Sequence, residues 1–377
     1  MARGPGRTPL HAARLEIEPR VRAAPRRGRA RARARREGEH AQRVAPREVR
    51  QPEVARLAGL LLALVLLVPV AHAGRRALWA GAFLVEFLSQ GRLAPLSALT
   101  SAPTREPLSV PGAAVDRYVL AGPAGGTPLV FVHGFTPQGK DDPRVREAAA
   151  LLARCGFDVA VPTIPGLTHG RLRSDDVAPV VATLAALARP SIVLGVSVGA
   201  GPALLAAADP RVRERVQAVV SLGGYASARE VLRFWLTGVY AYGGVRGRVA
   251  HEPEVVRSFV AANTDLLEPA ARAELMTADA DRAARFLAAL PPALERYLND
   301  LSPLGVVGDI RARLVLIHGR SDRAVPYTEA LRLAAARPER TTLVLVGIVE
   351  HVEGGGGWRE GRDFLALWRV MYGLINA

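Results

Sequence analysis

The sequence predicts an α/β protein whose mostly parallel sheet is covered by helices on both faces. Short apolar runs alternate with helical segments between residues 117 and 346, and glycines and prolines separate them. Repeated βα units of this length require parallel strands that are buried on both faces. With 377 residues and a hydrophobic content of 49%, the chain can bury a core of that size.

Each strand is predicted from a short apolar run, and each helix from helical periodicity. The predicted strands are 117–120, 128–132, 159–162, 191–194, 216–221, 313–317 and 341–346. The helices that alternate with them are 142–153, 176–187, 202–207 and 327–335. Between 227 and 310 the alternation lapses, and a helical cap over the carboxyl edge of the sheet is expected there. The predicted cap helices are 270–275, 280–290 and 292–298.

Four segments are predicted along the chain. Residues 1–53 form an Arg-rich extension without apolar periodicity, which is expected to be disordered. Residues 54–90 form a hydrophobic helix, 91–115 a proline-bearing linker, and 116–377 the α/β domain. Residues 1–50 hold 15 Arg and 5 Glu, which accounts for +10 of the net charge of +15. No aromatic residues are interleaved with these arginines, so binding of nucleic acid is not expected.

The segment Leu57–Ala73 has 17 residues without a formal charge. Such a stretch suits a membrane span or the core of a signal peptide, and the small-x-small pattern at 71–73 leaves cleavage open. The apolar stretch 77–88 is expected to extend this helix or to lie along a membrane interface. The protein is therefore expected to be membrane-anchored or exported through residues 54–73, with its sidedness open. A translation start near Val54 would place this segment at the N-terminus.

The pattern Gly195-Val196-Ser197-Val198-Gly199 lies between a predicted strand and a predicted helix. A Gly-x-Ser-x-Gly turn at this position is a nucleophile elbow, in which glycines allow close backbone approach on either side of the serine. The turn lifts the hydroxyl above the sheet, next to the first amides of the following helix. Ser197 is therefore predicted to be a nucleophile.

A serine hydroxyl needs a base to take its proton, and an acid that holds the base in one tautomer. Asp322 and His351 each follow a predicted strand, so both are expected at the same carboxyl edge of the sheet as Ser197. Asp322 is the predicted acid and His351 the predicted base. A purely structural turn aspartate, and Glu350 or Glu353 as the acid, remain alternatives.

The backbone N–H groups of Phe135 and Val198 are the predicted donors to the oxyanion. His133 is expected to shape the loop that carries the first of them, and His318, at the end of a strand, to be structural. A single cysteine, Cys155, excludes an internal disulfide. Because no His-x-x-x-His or paired-cysteine spacing occurs, neither a metal nor another cofactor is expected.

A substrate pocket is expected where the cap meets the carboxyl edge of the sheet. The residues predicted to line it are His169, Phe234, Trp235, Tyr240 and Tyr242. For the four aromatic residues, packing within the cap is the alternative interpretation.

The chemistry-bearing motifs are His133-Gly134-Phe135, Gly195–Gly199, His318-Gly319 with Asp322 and Val325-Pro326, and His351. Together they resemble the α/β-hydrolase fold superfamily over residues 115–375, in its chain order of Ser, Asp and His. The resemblance implies a doubly wound sheet of about eight strands and hydrolysis through an acyl-enzyme. The loop pattern His-Gly-x-x-Asp-x-x-Val-Pro is similar to that of esterases, dienelactone hydrolases and serine peptidases. The four glycines at 354–357 depart from the usual pattern.

The expected activity is that of a serine hydrolase acting on a carboxylic ester or a related acyl substrate. An acyltransferase that uses the same triad is one alternative, and a non-catalytic, membrane-tethered binding protein is another. The expected partners are a small acyl substrate and, through the N-terminal helix, a membrane. No oligomeric state is predicted.

Overall fold

The computed structural model describes part of the chain, and for some residues the backbone alone. The described residues are 51–121, 125–251, 261–263, 268–269, 273, 280–347, 349–350, 353–354 and 361–376. The side chains at 51–69, 280, 349–350 and 353–354 are not described. The predicted disordered extension lies almost wholly outside these residues, and so does the predicted helix 270–275.

Eight of the described strands form one sheet, in the order β1-β2-β4-β3-β5-β6-β9-β10. These strands are β1 (Thr104–Val110), β2 (Ala113–Val119), β3 (Thr127–Val132), β4 (Phe157–Pro162), β5 (Ser191–Val196), β6 (Val216–Leu222), β9 (Arg313–Gly319) and β10 (Thr341–Val346). Neighbours from β4 to β10 are parallel, whereas β2 pairs antiparallel with both β1 and β4. The predicted α/β fold with a mostly parallel eight-stranded sheet is confirmed.

Helices cover both faces of this sheet. The described helices are α1 (Gln51–Leu88), α2 (Pro95–Leu99), α3 (Pro143–Arg154), α4 (Pro165–Thr168), α5 (Val177–Ala186), α6 (Ala200–Ala208), α7 (Ala228–Thr237), α8 (Ala280–Ala288), α9 (Pro292–Asp300), α10 (Thr328–Ala336) and α11 (Gly361–Ile375). Side chains alternate along the central strands: Val130 and Val132 of β3 join one buried cluster, and Leu129 and Phe131 join the other. The first cluster is closed by α5, α6, α10 and the cap, and the second by α3, α11 and the end of α1.

The prediction of a linker over 91–115 is wrong, because α2, β1 and the start of β2 lie there. Pro107 concealed the first strand, since proline cannot donate to a sheet ladder and argues against a central strand. In the structure Pro107 belongs to β1, the outermost strand of the sheet, and lies opposite Asp116 of β2. β1 pairs with β2 on one side only. An edge position tolerates the missing N–H.

The second half of α1 is part of the core of the α/β domain. Ala80 is fully buried, and Leu84 is 4% exposed. The indole N–H of Trp368 in α11 donates to the Ala77 carbonyl at 2.9 Å. The apolar stretch 77–88 therefore extends the first helix, which was one of its two predicted arrangements.

A search of the described residues finds no helix with the length and apolar content needed to cross a bilayer. The hydrophobic segment on which membrane attachment was predicted includes side chains that the structure does not describe. Attachment through residues 54–73 stays a prediction.

The cap region between β6 and β9 contains α8 and α9, close to the predicted helices 280–290 and 292–298, and also α7 and a β-hairpin, which were not predicted. The hairpin strands are β7 (Val239–Tyr242) and β8 (Val245–Arg248). Gly243 and Gly244 join them with φ of 57° and 82°, the positive angles that a tight two-residue hairpin turn requires. This Gly-Gly pair was a usable sequence signal that the helical interpretation overlooked.

Candidate active site

Ser197 lies in a sharp turn between β5 and α6, and its φ is +53°. A non-glycine residue adopts this left-handed conformation only when its surroundings impose it. A Cβ at position 195 would lie 2.5 Å from Ala200 Cα, and a Cβ at position 199 would lie 2.1 Å from the carbonyl oxygen of His133. Both positions therefore require glycine, and the local geometry is that of the predicted elbow.

The loop after β3 lies directly beside this turn. A Cβ at Gly134 would come within 3.2 Å of Ser197 Cβ, so the absent side chain makes room for the serine. The next residue, Phe135, is 37% exposed, whereas Val198 is 1% exposed. The structure thus brings together the two loops from which the oxyanion amides were predicted.

His133 stabilises the loop after β3 through two hydrogen bonds. Its ring is fully buried; Nδ1 donates to the Gly134 carbonyl at 2.7 Å, and Nε2 accepts the Ile164 N–H at 3.1 Å. Because burial lowers the pKa of His133, the neutral form with its proton on Nδ1 is favoured. This arrangement agrees with the predicted loop-shaping role of His133.

Asp322 follows β9 and is 6% exposed. Its Oδ1 accepts the N–H groups of Ala324 at 2.8 Å and Val325 at 2.9 Å, which closes the turn. Its Oδ2 lies 3.5 Å from Nε2 of His318, and that nitrogen donates to the Val325 carbonyl at 2.9 Å. Oδ1 therefore stabilises the turn. The carboxylate as a whole is buried, and it lies at the same carboxyl edge of the sheet as Ser197.

The predicted base, His351, lies outside the described residues. The backbone of Glu350 and Glu353 is described in a short antiparallel pair, β11 (Val349–Glu350) with β12 (Glu353–Gly354), but their side chains are not. The role of His351, and the choice between Asp322 and these glutamates as the acid, stay predictions.

Of the predicted pocket residues, Trp235 contacts the loops that carry Asp322 and Phe135. Its indole N–H donates to the Ala324 carbonyl at 2.6 Å, and its ring centroid lies 6.2 Å from that of Phe135. Trp235 is half-buried. The cap helix α7 therefore reaches both of these loops through one side chain.

The other predicted pocket residues make different contacts. Phe234 is fully buried, with its ring 5.9 Å from Tyr240 and edge-on to His251 at 4.6 Å. The guanidinium of Arg332 lies over the ring of Tyr242, with Cζ of Arg332 4.6 Å from the ring centroid. The contacts of Phe234 agree with packing within the cap, whereas Tyr242 packs against Arg332 of α10, outside the cap. His169 is exposed, and its Nδ1 bonds the Pro165 carbonyl at 2.9 Å.

Glu329, which the sequence interpretation missed, anchors the start of the cap helix α7. The residue is 1% exposed, and Oε2 accepts the N–H groups of Ala226 at 3.1 Å and Ser227 at 2.9 Å. Burial raises the pKa of Glu329, against the pull of these donors and of Arg332. More than 100 residues separate the partners in sequence, so no local pattern could have indicated the contact.

A shallow cavity of about 450 Å³ lies at the opposite edge of the sheet, around Gln217, Arg313 and Thr341. These residues lie at the amino ends of β6, β9 and β10, away from Ser197. Among the described side chains, no group of three His, Cys, Asp or Glu residues is placed to hold a metal ion.

Comparison with known proteins gives one family match. The family described as "alpha/beta hydrolase fold" matches residues 127–351, more than half of the chain. A search of curated proteins found no match.

Solved structures give distant similarities. A puromycin-hydrolysing peptidase of Mycobacterium tuberculosis is 20% identical, with a TM-score of 0.45, over 75% of this chain and 40% of that one. A meta-cleavage product hydrolase from Pseudomonas fluorescens is 18% identical, with a TM-score of 0.41, over 72% of this chain and 97% of that one. A dienelactone hydrolase from Anabaena variabilis is 18% identical, with a TM-score of 0.40, over 72% and 97%. At this distance none of them assigns an activity to the chain.

Proposed function

Because the chain belongs to the alpha/beta hydrolase fold family, we propose that it is a serine hydrolase that cleaves a carboxylic ester or a related acyl compound. The observation that carries the proposal is the backbone of Ser197. A serine held at φ +53° between a strand and a helix, against the glycine of a neighbouring loop, has the backbone geometry of a nucleophile elbow. A structural serine has no need of a strained turn.

In the proposed reaction, Ser197 Oγ attacks the acyl carbon while His351 takes the hydroxyl proton. The Phe135 and Val198 amides stabilise the oxyanion, and loss of one such donor typically costs about 100- to 1,000-fold in rate. The imidazolium then gives its proton to the departing alcohol, which leaves an acyl-enzyme. Water, deprotonated by the same histidine, hydrolyses the ester bond to Ser197 and restores the hydroxyl.

Asp322 would hold His351 in the required tautomer and stabilise the imidazolium. Its burial supports this role, because a desolvated carboxylate interacts strongly with a nearby cation. Since Oδ1 is engaged by the Ala324 and Val325 amides, the carboxylate is held in one orientation before any substrate binds.

The test is covalent labelling of the full chain with a fluorophosphonate probe, followed by mass spectrometry of the labelled peptide. We expect labelling on Ser197 and none in Ser197→Ala. Ser321→Ala is the matched control, since Ser321 is exposed and adjacent to Asp322; this variant should label like the wild type. Labelling that survives in Ser197→Ala would overturn the proposal.

We also propose that residues 54–73 attach the protein to a membrane or direct its export. The support is the uncharged length of this segment in the sequence. Fractionation of the native protein, with sequencing of its N-terminus, tests this. Recovery of a chain that retains these residues entirely in the soluble fraction would contradict it.

A further inference from the structure

Trp235 is attached at two points to the loops of the candidate site. Its indole N–H donates to the Ala324 carbonyl, and its ring is tilted by 44° against the ring of Phe135. Ala324 is itself bound through its N–H to Oδ1 of Asp322. Phe135 directly follows Gly134, the glycine that lies against Ser197. A chain of contacts thus runs from the nucleophile loop, through one cap side chain, to the acid loop.

The cap helix α7 is also held at points other than Trp235. At its start, Ser227 caps the helix by accepting the Glu230 N–H at 3.3 Å. The buried Glu329 accepts the two preceding backbone donors. The neighbouring Phe234 is fully buried in the cap. Among these contacts, that of Trp235 is the one that reaches the loops of the candidate site.

The Trp235–Phe135 pair forms an apolar surface that is partly exposed to solvent. Phe135 is 37% exposed and Trp235 is half-buried. Apolar surface of aromatic rings is unfavourable in water. An apolar group of a substrate that packs against these rings would remove both apolar surfaces from water, which favours binding. The indole hydrogen bond fixes the position of this surface relative to Asp322.

We propose that Trp235 sets acyl-chain specificity, by forming with Phe135 an apolar wall beside the Ser197 turn that limits the length of the bound acyl chain. The proposal rests on the proposed function and names the substrate class as esters of straight-chain carboxylic acids. The wall admits short chains and excludes long ones, and its position is held by the contact with Ala324.

The experiment measures kcat/KM of the full chain for p-nitrophenyl acetate, butyrate and octanoate. In Trp235→Ala the ratio of the octanoate to the acetate value should rise by about 10- to 200-fold, the range that contacts of one or a few methylenes give. In Trp235→Phe, which keeps an aromatic wall and loses the N–H donor, kcat should fall for all three esters with little change in that ratio. Trp368→Phe, on the opposite face of the sheet, is the control and should leave the ratio unchanged. An unchanged ratio in Trp235→Ala overturns the proposal.

A separate binding measurement distinguishes failure of this proposal from failure of the proposed function. In a Ser197→Ala background, which cannot form an acyl-enzyme, dissociation constants of the acetate and octanoate esters are measured with and without Trp235→Ala. The octanoate-to-acetate preference should rise here as well. If wild-type protein neither labels at Ser197 nor hydrolyses esters, the proposed function fails, and the binding ratio still decides the role of Trp235. Thermal unfolding of each variant shows whether it is folded. If Trp235→Ala is not, Trp235→Leu is the second variant, in which the same ratio should rise by a smaller factor, and an unchanged ratio in it would overturn the proposal.

Discussion

Gly199 packs directly against the carbonyl oxygen of His133, so that a Cβ at position 199 would lie 2.1 Å from that oxygen. The contact joins the nucleophile turn to the loop that carries Phe135. Because both contacting groups belong to the backbone, neither can shift to make room for a Cβ without a cost in free energy.

Gly199→Ala should therefore lower the free energy of unfolding by at least about 1–3 kcal/mol, as overpacking does, and slow fluorophosphonate labelling of Ser197. Denaturant unfolding and labelling rates measure the two effects. Gly373→Ala is the control, because a Cβ at this position in α11 meets no neighbouring atom; it should be neutral or stabilise by about 0.5–1 kcal/mol. Equal stability of the two variants would contradict the prediction.

Asp322→Asn should reduce kcat by about 10⁴-fold, as loss of the triad acid does when the geometry is retained. The amide oxygen can still accept the Ala324 and Val325 N–H groups, so the free energy of unfolding should fall by only about 1 kcal/mol. Ester hydrolysis and denaturant unfolding of the variant check this. Glu350→Gln and Glu353→Gln should retain activity, and a 10⁴-fold loss in either of them instead would assign the acid to that glutamate.

The free energy of unfolding is expected to depend on pH through the buried carboxyl group of Asp176. Its carboxylate is 2% exposed and accepts the N–H groups of Gly166 at 2.7 Å and Arg173 at 3.1 Å. Burial raises its pKa to about 6, so the folded protein takes up a proton more readily than the unfolded chain. The stability that this group contributes is present in full below the pKa of the unfolded chain, and it is lost as the pH rises through about 6.

Relative to Asp176→Asn, which does not titrate, the wild type should gain stability on the order of 3 kcal/mol as the pH falls from 7.5 to 4. Thermal unfolding of both proteins across this range measures the gain. Asp175→Asn, an exposed neighbour, controls for the loss of one carboxylate from this loop. A difference between wild type and Asp176→Asn that stays constant with pH would refute the prediction.

The second half of α1 should behave as core in a mutational test. Leu84→Ala, at a 4% exposed position, should cost about 2–5 kcal/mol of unfolding free energy. Leu78→Ala, at a 70% exposed position on the same helix, should cost less than about 0.5 kcal/mol. Denaturant unfolding of the two variants compares them directly. Similar costs at both positions would show that this helix does not pack as described.

Local sequence signals predicted those parts of the fold that depend on neighbouring residues. Asp142 begins the predicted helix 142–153, and in the structure it caps α3: its side chain accepts the Arg144 N–H at 2.8 Å, and Pro143 follows it. The buried strands followed from their apolar runs, since parallel strands covered on both faces need no alternation. The elbow was found because its glycines and its serine lie within five residues.

The remaining features depend on contacts between distant parts of the chain. β1 was missed because an edge strand need not be apolar and tolerates Pro107. The bond from Trp235 to Ala324 spans 89 residues, and no periodicity or motif indicates which cap side chain turns toward the sheet. Sequence could therefore predict a group of aromatic cap residues, and the structure was needed to select one of them.

The way α1 is packed has a consequence for maturation of the chain. Its described side chains at 70–76 are exposed, and burial begins only beyond them, with Ala80 and Leu84. Cleavage after Ala73 would leave in place the described side chains by which this helix joins the core, Ala80 and Leu84 among them. We therefore expect a chain trimmed at Ala73 and an untrimmed chain to share the same folded α/β domain.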